Sequence, residues 1–256
     1  MFSDRDLPPD VAAVRAAHAP DAAILDSDGD FETLPPAARD ELATRADALD
    51  PVTYDQSWLP PDAPELLARF AGSDLTIGMP GDGAVAWTTQ TAPPTVIVKP
   101  RIEGSPEDFV DFLVAEALVE VGADVPEQFL GLFGAQYRDF ADALDAAPGT
   151  TYQVAAAVCD AYRGLHTRPV FSEWGGDHDR LFAAWSDAGS RLQPRLDGLM
   201  RAVARGDTDF GDAAELACAG VKHGLDVPAP FDALDVDAFR DHGADYAVRW
   251  AEKVRD

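Results

Sequence analysis

The sequence predicts an α+β fold, mostly helical, in which a small three-stranded antiparallel meander is packed by helices and the C-terminal half is all helical. Three observations predict it. Runs of β-prone residues cluster between positions 75 and 99, the turns between those runs are short, and after Gly104 the pattern switches to helix and stays there.

Residues 1–70 read as short helices set off by proline-rich turns. Leu7-Pro8-Pro9-Asp10, Leu34-Pro35-Pro36 and Leu59-Pro60-Pro61-Asp62 each open one, because proline is tolerated in a first helical turn. Ala22 to Leu25 is a brief apolar run that reads as an isolated strand. Leu75-Thr76-Ile77-Gly78-Met79, Ala84 to Thr89 and Thr95-Val96-Ile97-Val98-Lys99 are the three β-prone runs, divided by Pro80-Gly81-Asp82-Gly83 and Ala92-Pro93-Pro94. Turns this short predict antiparallel pairing, since parallel strands need a long crossover. Ser105-Pro106-Glu107-Asp108 then carries a capping serine, a first-turn proline and acids at the positive end of the dipole. That helix is expected to reach Val121, and further helices are expected over 126–146, 151–166, 177–204, 211–224 and 235–254. The chain reads as a single domain, 1–256, with a subdivision into 1–147 and 148–256 marked only by Ala147-Pro148-Gly149-Thr150.

Charge excludes some functions. There are 46 acidic and 20 basic residues, a net charge of -26, and lysine occurs only at Lys99, Lys222 and Lys253. A surface of that charge suits a salt-filled cytoplasm, because at roughly 1 M salt the Debye length is only about 3 Å. Without a basic stripe to displace counterions from phosphates, nucleic acid is not an expected partner. No apolar stretch approaches the about 20 residues of a membrane span, and the start of the chain lacks a signal peptide, so the expected setting is cytoplasmic and soluble, with no membrane partner. Cys159 and Cys218 lack CxxC spacing, which argues against a zinc ribbon and a redox pair. No cofactor and no resident metal are expected.

Two places carry residue types that chemistry could use. Glu116 and Glu120 share a helical stripe with Phe109, Phe112 and Leu113, while Asp108 and Asp111 fall on the opposite, polar side. Carboxylates on an apolar stripe need partners, and Lys99 and Arg101, alternating on one strand face, are the nearest in sequence. The pairs either fasten helix to sheet or form an anion site. The order of glycine turn (Gly78, Gly81, Gly83), strand ending at Lys99 and helix bearing Glu116 resembles the ATP-binding lobe of kinases. The glycine spacing departs from G-x-G-x-x-G, however, and nothing downstream resembles a His-Arg-Asp catalytic loop, although Asp209-Phe210-Gly211 spells the metal-binding triplet. The second place is the helix from 151, where Tyr152, Cys159, Tyr162, Arg163 and His166 fall on one side and could line a pocket. His166 with His178 suits a metal set in type, and Cys159 with His166 a nucleophile and base, but neither spacing is specific. Asp177 reads as a helix cap, and Trp174 as an anchor for its loop. The last helix aligns Phe239, His242, Tyr246 and Trp250, a stripe that means core or a protein partner.

Gly78-Met79-Pro80-Gly81-Asp82-Gly83, Val98-Lys99-Pro100-Arg101-Ile102-Glu103-Gly104-Ser105-Pro106 and Gly164-Leu165-His166-Thr167-Arg168-Pro169 together resemble an uncharacterised haloarchaeal family, a domain of unknown function. The resemblance implies a halophilic source and no activity. The function expected is a non-catalytic ligand-binding or adaptor protein. The alternative is an enzyme built around Lys99/Glu116 or Cys159/His166/His178, either a metal-assisted hydrolase or a degenerate kinase-like phosphotransferase.

Overall fold

Three residues at the N-terminus, anchored by buried Phe2, already make a strand, β1 (Phe2–Asp4). Proline in the first turn opens α1 (Pro9–His18), which buries Val11 and Val14. The apolar run that follows is β2 (Ala23–Ser27), and a second proline start gives α2 (Pro36–Arg45). Short elements come next: β3 (Ala48–Leu49), α3 (Glu65–Phe70), β4 (Val85–Thr88), β5 (Thr91–Ala92) and β6 (Thr95–Val98). The remainder is helical, with α4 (Glu107–Gly122), α5 (Phe129–Phe133), α6 (Gln136–Leu144), α7 (Pro148–Ser172), α8 (Asp179–Arg205), α9 (Phe210–Lys222) and α10 (Asp237–Arg255). The computed structural model describes residues 2–31, 34–72, 75–78 and 83–255. The fold is α+β and mostly helical, 61% helix against 8% strand, with a helical C-terminal half.

The chain forms two units. Unit 1 comprises residues 1–53, 73–127 and 174–184; unit 2 comprises 54–72, 128–173 and 185–256.

Unit 1 is built on a sheet of order β1-β2-β6-β4. β1 is antiparallel to β2, β2 parallel to β6, and β4 antiparallel to β6. The expected antiparallel meander is therefore corrected to a mixed sheet of four strands. β2 takes the place beside β6 through a long connection that includes α2, the kind of link a parallel pair requires. Leu75, Thr76 and Ile77 are buried without joining the sheet, while Met79 to Asp82 lie outside the described residues. All four residues of β6 are buried, as a central strand covered on both faces demands. On one face Trp87 and its register partner Val96 meet α4. On the other, Leu25, Ala86 and Ile97 join Phe2, Phe31, Leu42, Leu75 and Ile77 in an apolar cluster.

Unit 2 is a helical assembly around α7, which packs on α9, α10, α5 and α6. An aromatic core of Phe129, Phe133, Tyr137 and Phe140 ties α5 to α6, with ring centroids 4.7 Å apart for Phe133 and Phe140 and 5.0 Å for Phe129 and Tyr137. The single helix expected over 126–146 is broken where Gly134 takes a φ of 53°, a left-handed conformation open to glycine. α7 runs on through Pro169 to Ser172, past the expected end at 166. Arg168 holds this last stretch, its Nη1 donating to the Val221 carbonyl at 2.8 Å and its Nη2 lying 2.5 Å from Asp235. Among the described residues no helix is long and apolar enough to cross a membrane.

Candidate functional site

The residue after β6 is Lys99, and its side chain is fully buried, with Nζ 5.2 Å from the centre of the Phe31 ring, a cation–π contact. Arg101, exposed on the following turn, donates from Nε to Asp30 at 2.6 Å and from Nη2 to the Phe31 carbonyl at 3.4 Å. Both cations are thus directed to the same short segment, Asp30–Phe31. On α4, Glu116 is half-buried and Glu120 is buried. Trp87 Nε1, on β4, donates to Glu120 Oε2 at 2.6 Å. Beyond the end of α4, Glu127 accepts from Thr88 Oγ1, the Thr89 backbone and Gln90 Nε2 at 2.9, 3.0 and 2.8 Å. The acids of α4 and its exit loop clasp the turn after β4.

Asp108 and Asp111, on the polar side of α4 as expected, converge with Asp10 on Arg180. The guanidinium reaches Asp10 at 2.7 and 3.1 Å, Asp108 at 2.8 Å and Asp111 at 2.6 Å. Burial pushes the Asp10 carboxyl up, but the Arg180 hydrogen bonds, the Val11 backbone N–H and the guanidinium charge together hold it below the usual carboxylate range. Nearby, α8 begins at Asp179, whose carboxylate accepts from the Gly176 N–H at 2.7 Å, so Asp177 is not the cap. Trp174 does anchor the loop: it is buried and packs edge-on against Phe112, 6.4 Å between centroids. His178 lies edge-on to Trp174, and its Nδ1 is buried without a hydrogen-bond partner. Burial and the charge of His178 lower the pKa of His18.

The α7 face in unit 2 is occupied by protein. Tyr152 packs on Phe129 at 5.6 Å, Cys159 is 1% exposed, Tyr162 packs on His166 at 4.7 Å and on Phe239 at 5.7 Å, and Arg163 pairs with Asp160. Burial, then the charge of Arg240, lowers the His166 pKa. His166 belongs to unit 2 and His178 to unit 1. Among the described residues no three His, Cys, Asp or Glu side chains are grouped to hold a metal ion. Asp209, first of the kinase-like triplet, caps α9 by accepting from the Asp212 N–H at 2.9 Å. In the C-terminal stripe Phe239 and Trp250 are buried, Trp250 Nε1 donates to the Pro230 carbonyl and the Tyr246 hydroxyl to the Ala233 carbonyl, each at 2.9 Å, and His242 is exposed. These rings fill the inside of unit 2.

Unit 2 carries a groove of about 520 Å³ between the second half of α8 and α9. Leu192, Leu199, Ala202, Leu216 and Ala219 give it an apolar floor, with Arg195 on one wall and Asp212 and Glu215 on the other. The helices close beneath it at Gly220, where an added Cβ would lie 2.8 Å from Leu196 Cδ1.

The model of one protein family, a family of unknown function designated DUF7089, matches residues 1–256. The chain belongs to DUF7089. No curated protein and no solved structure shows a significant match to it. In this DUF7089 chain the groove was not among the sequence expectations. A signal was present: Leu192, Leu196 and Leu199 with Met200 make an apolar stripe wider than one packing face needs, and Arg191, Arg195, Arg201 and Arg205 cluster in an otherwise acidic chain. The Arg180 cluster had no such signal, because Asp10, the Asp108/Asp111 pair and Arg180 come from three distant segments.

Proposed function

We propose that this DUF7089 chain is a non-catalytic ligand-binding or adaptor protein of the cytoplasm of a halophilic archaeon, acting by presenting a surface. The observation that carries this reading is the α8/α9 groove, apolar in its floor and charged on both rims, of a volume typical of binding sites. The side chains with chemical potential support it from the other direction. Lys99 and Cys159 are buried in packing contacts and Arg101 is engaged by Asp30. The acidity and the resemblance noted in the sequence support the halophilic setting.

A thermal-shift screen of nucleotides and divalent ions, run in molar potassium chloride, tests it. The expected result is an unfolding temperature that none of them raises. A clear rise that disappears in Arg101→Ala or His166→Ala would replace the adaptor reading with the enzyme.

A further inference from the structure

Resting on the reading of the α8/α9 groove as a docking surface, we propose that its occupant is a second copy of this chain, joined across a two-fold axis. The charge on the groove points to this partner. Arg195, Arg201 and Arg205 are all exposed on the second half of α8, and Arg191, just before them, pairs with Asp187, in a chain with only 20 basic residues against 46 acidic. The facing helix exposes Asp209, Asp212 and Glu215. Asp212 is held by Gln153 Nε2 at 3.0 Å, whereas Arg195 and Glu215 form no ion pair among the described residues. A partner that is basic throughout would be repelled by the α8 wall, and one that is acidic throughout by the α9 wall. A second copy presents both signs in the matching order.

Two-fold symmetry makes that match twice over. In such a contact, residue i of one copy meets residue j of the other and j meets i, so Arg195 of each copy faces the Asp212/Glu215 wall of its partner. Leu216, half-buried in the floor, then lies near the axis. Met200, 40% exposed and next to Leu199, is one of two exposed large hydrophobic side chains among the described residues, and the contact would cover it. The chain's net charge of -26 otherwise opposes self-association. The half of α8 that carries the arginines is where two copies can approach, and in molar salt the repulsion of the remaining surface is screened beyond about 3 Å.

Sedimentation equilibrium in molar potassium chloride tests the proposal, with circular dichroism to show that each variant is folded. The wild type is expected to show twice the chain mass. Met200→Asp, which puts a charge beside the axis, is expected to be monomeric. Arg195→Glu and Glu215→Arg place like charges opposite each other, so each is expected to weaken the dimer about tenfold or more, and mixing the two variants is expected to restore a dimer containing one of each. A wild type that stays monomeric up to its solubility limit overturns the proposal, whatever else the groove binds, and so does a dimer indifferent to all three substitutions. The adaptor reading fails separately, in the nucleotide and metal screen.

Discussion

His223 shows what one buried side chain can cost. Its ring stacks on Trp185 at 5.9 Å, Gly189 lies close against it, and its Nδ1 is buried without a hydrogen-bond partner. Burial, helped by the charge of Lys222, lowers its pKa from 6.5 to about 4. The unfolded chain therefore takes up a proton first as pH falls. The folded state is at full stability above pH 6.5, loses it as pH drops towards 4, and loses no more below that, on the order of 3 kcal/mol in all. Urea unfolding across this window should show a shallower pH dependence for His223→Leu than for the wild type; parallel curves would contradict this account. At this scale the sequence was readable where a residue's demand is local. Glu120, on an apolar stripe, did need a donor, and Trp174 did anchor its loop. That Trp87 donates to Glu120 depends on the sheet register, which places Trp87 opposite Val96, and no spacing along the chain reveals that.

Elements were legible wherever one helix or strand carries its own pattern. α4, α8 and α9 stand close to their expected spans, because capping prolines, acids and periodicity are local. Pairings between elements were not, and the parallel union of β2 with β6 is the clearest example: the isolated strand was visible and its neighbour was not. The contact between α7 and α9 is another. At Gly164 a Cβ would sit 2.6 Å from Lys222 Cγ and 2.7 Å from its Cα, so the two helices approach backbone to backbone. Gly164→Ala would ordinarily favour a helix, yet here it must push α9 away, and a loss of about 1–3 kcal/mol in denaturant unfolding is expected. Unchanged stability would mean that the two helices can part without penalty. The groove escaped notice for the same reason, since its floor is shared by two helices that each look merely amphipathic.

For the whole molecule the dominant quantity is charge. With -26 on 256 residues, mutual repulsion favours expansion at low ionic strength. Taking the salt from about 0.1 M to about 1 M shortens the Debye length from about 10 Å to about 3 Å. The unfolding temperature should rise by several degrees across that range, even though the Arg180 cluster is itself weakened by salt. A flat or falling curve would show that local ion pairs outweigh the overall repulsion. Composition alone gave this much, and it gave nothing about the groove.

Unit 1 is assembled from three separate stretches, and the last of them, residues 174–184, brings both Trp174 and Arg180. During synthesis the sheet, α1 and α4 leave the ribosome long before that stretch. Until it arrives Phe112 lacks its Trp174 cover, and Asp10, Asp108 and Asp111 face one another with no arginine between them. The N-terminal unit is therefore completed only after the whole of α7 has been translated, when one guanidinium comes to lie among three carboxylates made long before it.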